Sequence, residues 1–196
     1  MLQNRLNDIQ KRLPPLFVTL TLAASIVSIY IICVLLFPYK LLSQSPVAIF
    51  YLSQINELIL EGEIYRLFTA MFLHVNVVHL ASNLLFLLIF ASRLEEIKGG
   101  IAVLIVFIGS GLIGNIATLA FVLLGVNFVS LGASGAIFGL LGALLYLLRG
   151  KSKHERRRMY YFIVIFLVIT IGQDTNVISH FAGFLGGYLL MKITNY

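Results

Sequence analysis

The sequence predicts an all-α fold: a polytopic membrane protein built as a bundle of six transmembrane helices. Of its 196 residues, 60% are hydrophobic and only 11% carry a charge, and the mean hydropathy is +0.99. Soluble domains are about 45–50% apolar and about 25% charged. A water-soluble chain of this size could not bury so much apolar surface in its interior. The apolar residues also fall into six separate segments, bounded by polar residues, glycine or proline.

Each segment is predicted to be a helix in the bilayer, because about 20 mostly apolar residues cross a hydrocarbon core of about 30 Å. The last three segments are short for a full crossing, so they are expected to begin below the membrane surface or to lie behind other helices. In chain order the predicted spans cover residues 16–37, 77–94, 101–124, 134–148, 159–171 and 177–193.

The connection between the first two spans, residues 38–66, mixes charged and apolar residues and is predicted to form short amphipathic helices at the membrane interface. The chain as a whole, residues 1–196, is interpreted as a single membrane domain. In that interpretation residues 1–15 are a cytoplasmic N-terminal segment and residues 16–193 form the six-helix core. A disulfide framework is excluded because Cys33 is the only cysteine of the sequence.

The distribution of basic residues predicts the orientation, because Lys and Arg collect on the cytoplasmic side of membrane proteins. With six spans, both termini and two connecting loops share one side, and twelve of the fourteen basic residues fall there, against Lys40 and Arg66 on the other side. Both termini are therefore predicted to be cytoplasmic. Residues 149–158, which carry six of the twelve, could instead form a patch that binds anionic lipids. The twelve are Arg5, Lys11, Arg12, Arg93, Lys98, Arg149, Lys151, Lys153, Arg156, Arg157, Arg158 and Lys192.

Four polar side chains inside the spans are the candidate functional residues, because polar groups in hydrocarbon are costly and usually serve a function. Spans two, four and six run from outside to inside, and at similar depths they carry His79 and Asn83, Ser134, and His180. His79 and Asn83 are four residues apart and share one helix face. A lone serine or histidine in a span is more often structural, but these four together supply a nucleophile, a base and oxyanion donors.

Glycines surround the candidate nucleophile. Gly132 and Gly135 allow a tight turn into the fourth span and the close approach of another backbone. The start of that helix leaves unpaired N–H groups near the serine, which suit a developing negative charge. Two small-residue pairs, Gly135 with Gly139 and Gly183 with Gly187, could bring the fourth and sixth spans into backbone contact; the alternative is that they serve packing alone.

Five short motifs follow one another along residues 60–190, each weak alone but specific in this order and on these spans. They are Tyr65-Arg66, His74 with His79 and Asn83 (H-x-x-x-x-H-x-x-x-N), Glu95 with Gly99 (E-x-x-x-G), Gly132-Ala133-Ser134-Gly135 (G-x-S-G), and Ser179-His180 with Gly183. Together these motifs resemble the rhomboid family of intramembrane serine proteases, which implies a rhomboid-like six-helix fold.

The resemblance implies that Ser134 is the nucleophile and His180 the general base of a dyad without an acidic third member. It also implies that His79, Asn83 and the backbone N–H of Ser134 stabilise the oxyanion. A triad with Asp174 is the less favoured alternative, because that residue lies in an exterior turn. The residues expected to be structural are Tyr65, Arg66, His74, Glu95, Gly99, Gly132, Gly135, Phe138, Gly139, Gly183 and Gly187.

The sequence departs from the family pattern at four positions. Tyr65 replaces the tryptophan of the first-loop motif, and Ser179 replaces the usual alanine before the histidine. Phe138 stands where the family often has a tyrosine packed against the catalytic histidine, so the ring is kept and the hydroxyl is lost. Ala70 stands where some bacterial members have another histidine, which weakens the first-loop match but does not affect the dyad.

The activity that the resemblance implies is that of an intramembrane serine endopeptidase. It would cleave transmembrane segments of single-span or polytopic membrane proteins in the cell membrane, with no cofactor, no metal and no nucleic acid partner. A substrate helix in lipid satisfies its own backbone bonds, so it must unwind first, which favours Gly or Pro near the cleavage site. The alternative is an inactive rhomboid-like protein that binds membrane-protein helices. A transporter would predict paired charges or an inverted repeat, and the sequence has neither.

Overall fold

A computed structural model describes residues 16–40, 43–127, 129–170 and 176–194. Within these residues there are no strands, only two isolated bridges, so the all-α prediction is confirmed. The predictions for residues 1–15, for Asp174 and for the last residue of the fifth span lie outside the described residues. The helices are α1 (Phe17–Leu36), α2 (Pro46–Leu52), α3 (Asn56–Leu60), α4 (Arg66–Thr69), α5 (Val77–Lys98), α6 (Gly100–Phe121), α7 (Ser134–Leu147), α8 (Lys153–Thr170) and α9 (Val177–Thr194).

The protein is a multi-pass membrane protein. Within the described residues, α1, α5, α6 with the 3-10 turn after it, and α9 are long and apolar enough to cross a bilayer, while α7 is apolar but shorter. Two boundaries differ from the predicted spans by more than three residues. Helix α5 continues to Lys98 instead of ending at residue 94, and α8 begins at Lys153 instead of residue 159. Hydropathy reports only the part of a helix that lies in lipid, and charged residues continue both helices beyond it.

Helix α7 lies at the centre of the bundle. It packs against α5, α6 and α9, and every residue from Gly135 to Leu144 is buried. Helix α8 contributes Phe166, whose ring lies against Phe86 of α5 and Phe138 of α7. A helix that is apolar on all faces is one that is enclosed by protein. Because α7 is enclosed by other helices, its 14 residues need not cross the whole bilayer.

Helices α7 and α9 touch backbone to backbone through their glycines. A Cβ placed on Gly183 would lie 3.0 Å from the carbonyl carbon of Gly135, and one on Gly187 would lie 2.6 Å from the Cα of Gly139. The two G-x-x-x-G pairs of the sequence therefore face each other. Small residues allow such approach in membrane helices, where packing replaces the hydrophobic driving force. The first turns of α7 and α9 are brought together as a result.

At the opposite end of the bundle, Glu95 of α5 caps the start of α1. Its carboxylate accepts hydrogen bonds from the backbone N–H groups of Val18 (3.0 Å) and Thr19 (2.8 Å) and from the Thr19 hydroxyl (2.6 Å). These bonds satisfy donors that a helix start leaves open and place a negative charge at the positive end of the helix dipole. Gly99, with φ of +83°, then turns the chain from α5 directly into α6.

The connection between α1 and α5 is built around Arg66. This side chain is 1% exposed and donates to the carbonyl oxygens of Phe50 (2.6 Å) and Ser53 (3.0 Å) and to the carboxylate of Glu63 (2.6 Å). The Tyr65 hydroxyl donates to the same carboxylate at 2.8 Å. Hydrogen bonds from Tyr65 and Arg66 lower the pKa of the Glu63 carboxyl. The short helices expected in this connection are present, and Arg66 of α4 joins its own helix to the end of α2.

Candidate active site

Ser134 and His180 form a hydrogen-bonded pair although 46 residues separate them. Ser134 is the first residue of α7, and His180 lies in the first turn of α9. The Ser134 Oγ and the His180 Nε2 are 2.7 Å apart. The glycine contacts between the two helices allow this approach, because any larger side chain there would separate the helix starts. A serine hydroxyl bonded to an imidazole nitrogen is the arrangement in which a base can take the serine proton.

Phe138 fixes the imidazole from one side. It lies one turn after Ser134 on α7, and its ring stacks on that of His180 with centroids 4.4 Å apart and planes inclined by 26°. Phe138 also contacts Phe166 of α8, at 4.6 Å between centroids. His180 itself is 9% exposed. Ring packing therefore restricts the orientation of this histidine, and the contact needs no hydroxyl at position 138.

A cavity of about 600 Å³ opens beside this pair. Ser134, His180 and His79 line it together with the polar residues Ser130 and Asn176, and valine and leucine side chains form other parts of its wall. A volume in this range suits a ligand of several residues or a small molecule. The polar groups of the lining are concentrated near Ser134 in an otherwise apolar bundle.

His79 reaches the cavity beside Ser134. Gly132 has φ of +118°, and a Cβ there would lie 3.0 Å from the Nε2 of His79 and 4.0 Å from the Ser134 Oγ. The imidazole therefore lies directly against the backbone that leads into α7. Behind it the buried His74 packs edge-on, with ring centroids 5.0 Å apart. Burial, with a smaller contribution from His79, lowers the pKa of His74 to about 3, so this ring is neutral at physiological pH.

Asn83 follows His79 by one helical turn, as the spacing predicts, but it is not among the cavity-lining residues. Its Nδ2 donates to the backbone oxygen of His79 at 2.9 Å. Its buried Oδ1 has no hydrogen-bond partner within the described residues. The structure thus brings three of the four candidate side chains together at the cavity, and it leaves the fourth bonded to its own helix.

Sequence reasoning did not single out three polar cavity residues, Asn76, Ser130 and Asn176. These residues lie in connections between the predicted spans, whereas the candidate functional residues lie inside the spans. A polar residue directly before an apolar helix is an N-cap signal, so this signal could have identified Asn176. Nothing comparable marks Ser130, because its side-chain partner lies far along the chain.

Known proteins provide independent comparisons. The family model of the Rhomboid domain matches residues 61–196, a range that contains α5 to α9. The rhomboid protein YdcA of Bacillus subtilis (strain 168) is 37% identical over 134 residues, which are 66% of this chain and 66% of YdcA. The rhomboid protease GluP of the same organism is 35% identical over 138 residues, 68% of this chain and 26% of GluP.

A plant protein, RHOMBOID-like protein 1 of Arabidopsis thaliana, is 34% identical over 134 residues, 65% of this chain and 34% of that protein. The chain thus matches about two thirds of YdcA and a smaller part of the other two relatives. The family model covers well over half of the chain, including both helices that carry the Ser134–His180 pair. The chain therefore belongs to the rhomboid family.

Proposed function

We propose that this chain is an intramembrane serine endopeptidase that cleaves transmembrane segments of membrane proteins through a Ser134–His180 dyad. The observation that carries the proposal is the 2.7 Å contact between the Ser134 Oγ and the His180 Nε2 at the wall of the cavity. Family membership and the relative named a rhomboid protease support it. Substrates, partners and the activity of the whole protein are part of the proposal.

The reaction follows from the two side chains. With the Nε2 of His180 unprotonated, it takes the Ser134 proton as the Oγ bonds to the substrate carbonyl carbon. The peptide C–N bond then breaks, and the same proton passes from Nε2 to the leaving amine. Water next attacks the acyl ester, gives a proton to Nε2 and releases the acid, and Nε2 returns that proton to Ser134. Phe138 holds the ring in place of an orienting acid.

The cleavage test uses the purified protein in lipid vesicles with a single-span substrate that has glycine near the outer end of its span. We expect two fragments with a new terminus inside the span, located by mass spectrometry. A serine-directed fluorophosphonate should block the cut. The same substrate with leucine in place of glycine should be cut more slowly, because it unwinds less readily. An intact substrate that nevertheless binds would support the inactive rhomboid-like alternative and overturn the proposal.

The oxyanion is proposed to be stabilised by the N-terminal N–H of α7, by His79, and by the amide of Asn83. Asn83→Ala should lower kcat about 10²–10³-fold, the usual loss for one oxyanion donor, with a melting temperature close to the parent's. Kinetics in detergent and thermal unfolding measure the two effects. The matched control is Ser82→Ala, because Ser82 donates to the same His79 oxygen (3.0 Å). If both variants lose stability and keep kcat, the Asn83 amide serves only the helix.

The proposed location is the cell membrane with both termini in the cytoplasm, on the strength of the twelve basic residues predicted on that side. Epitope tags at Met1 and Tyr196 should then resist a membrane-impermeant probe in intact cells and react after permeabilisation. A tag at residue 126, in the loop before α7, should react without permeabilisation. Labelling of either terminus in intact cells would contradict the proposed orientation.

A further inference from the structure

Asn176 is the residue directly before α9, and it makes hydrogen bonds in three directions. Its Oδ1 accepts from the backbone N–H of Ser179 at 3.0 Å, which is the N-cap bond of the helix. Its backbone oxygen accepts from the N–H of His180 at 3.1 Å. Its Nδ2 donates to the Thr118 Oγ1 at 2.8 Å and to the Ser130 Oγ at 3.0 Å. Asn176 therefore caps the start of the helix that carries His180, and its side chain links that start to two other elements.

Both outside partners are well anchored. Thr118 is fully buried in α6, and its hydroxyl donates to the Gly114 oxygen at 3.0 Å. Ser130 lies four residues before Ser134, and its backbone pairs with that of Gln54 through hydrogen bonds of 2.8 and 3.0 Å. Through these two residues, Asn176 connects the start of α9 to α6 and to the segment that enters α7.

His180 lies between this anchor and Gly183, the first glycine of α9 itself, and the neighbouring Ser179 packs against Gly114 of α6 and Gly135 of α7. Without a cap, the first turn of a helix has open N–H groups and frays. Fraying of this turn would move His180 away from Ser134, whereas the contact at Gly183 and the rest of the bundle would stay. Loss of the anchor is therefore expected to displace the His180 imidazole more than it disturbs the rest of the fold.

We propose that Asn176 is a positioning residue, one that holds the α9 start so that the His180 Nε2 stays within hydrogen-bond distance of the Ser134 Oγ. The inference rests on the proposed function, since it assigns the pair a reaction. Asn176 acts through His180 and takes no part in bond making or breaking.

The test compares four variants of the full chain with the parent. The readouts are the rate of fluorophosphonate labelling at Ser134 and the kcat and KM for a single-span substrate. Asn176→Ala should lower the labelling rate and kcat about 10–100-fold, because small misplacements of catalytic groups cost this much, and leave KM within about twofold. Asn176→Asp keeps the N-cap acceptor and should recover a substantial part of the loss. Thr118→Val removes one acceptor and should give a smaller loss of kcat.

Thr19→Val is the matched control, because it also removes a buried threonine hydroxyl bond, but at the far end of the bundle on Glu95. It should lower the melting temperature as Thr118→Val does and leave kcat per folded molecule unchanged. An alanine variant that labels at the parent's rate, or an aspartate variant no faster than alanine, would overturn the inference. A change in KM with no change in kcat would also overturn the inference. A parent that neither labels nor cleaves would overturn the proposed function itself.

Discussion

Ser134→Ala is expected to abolish fluorophosphonate labelling and peptide cleavage together, and His180→Ala is expected to lower both at least about 10³-fold. The alanine variant at 134 has no nucleophile, and a serine without its adjacent base is a weak one. The 2.7 Å contact makes each residue depend on the other. Labelling followed by mass spectrometry of the modified peptide measures the first effect, and initial rates on a single-span substrate measure the second.

Two comparisons sharpen this prediction. The double variant should be no slower than Ser134→Ala alone, because groups that act on one transition state do not add. Ser110→Ala is the matched serine control, since the Ser110 hydroxyl is buried in α6 and bonds to the Val106 oxygen at 2.6 Å. It should label at the parent's rate. Residual cleavage by Ser134→Ala at more than a trace, or a His180→Ala protein at the parent's rate, would contradict a dyad.

The positions of the helices could be predicted from the sequence because lipid imposes a simple requirement on a chain. A span needs a run of apolar residues, and that run is visible without knowledge of packing. The predicted spans at 77–94 and 177–193 accordingly begin where α5 and α9 begin. The predicted end of the second span, at residue 94, is wrong as the end of α5, because the helix ends at the positive-φ Gly99 and not where its apolar residues end.

The polar contacts of the site were less accessible to sequence reasoning. Helical spacing placed His79 and Asn83 on one face, but it could not show that Asn83 donates to the His79 backbone oxygen. The bonds of Asn176 to Thr118 and Ser130 join parts of the chain 58 and 46 residues away. Such pairs have no periodicity, and they form only once α6, α7 and α9 have packed. The side-chain contacts made by short connections between membrane helices are therefore not predictable from residue spacing.

Gly183→Ala is the second change with a large expected effect, and it tests whether backbone contact between α7 and α9 positions the dyad. The new Cβ would lie 3.0 Å from the Gly135 carbonyl carbon and 3.4 Å from its Cα. These neighbours are backbone atoms in the most buried helix, so the helices themselves must move apart. A shift of about 1 Å at this level separates the Ser134 Oγ from the His180 Nε2, and we expect kcat and labelling to fall about 10²-fold.

The sign of the stability change is decided by two opposing contributions. Alanine favours a helix over glycine by about 0.8–1 kcal/mol, whereas overpacking a tight contact costs about 1–3 kcal/mol. The overpacking is larger here because no flexible side chain can yield, so Gly183→Ala should also unfold at a lower temperature. Gly150→Ala is the matched control, because no heavy atom lies within 4 Å of its added Cβ, and it should leave both kcat and the melting temperature unchanged. If Gly183→Ala instead labels at the parent's rate, the two helix starts must be held by contacts other than the glycine faces, and the anchor at Asn176 would then be the principal candidate.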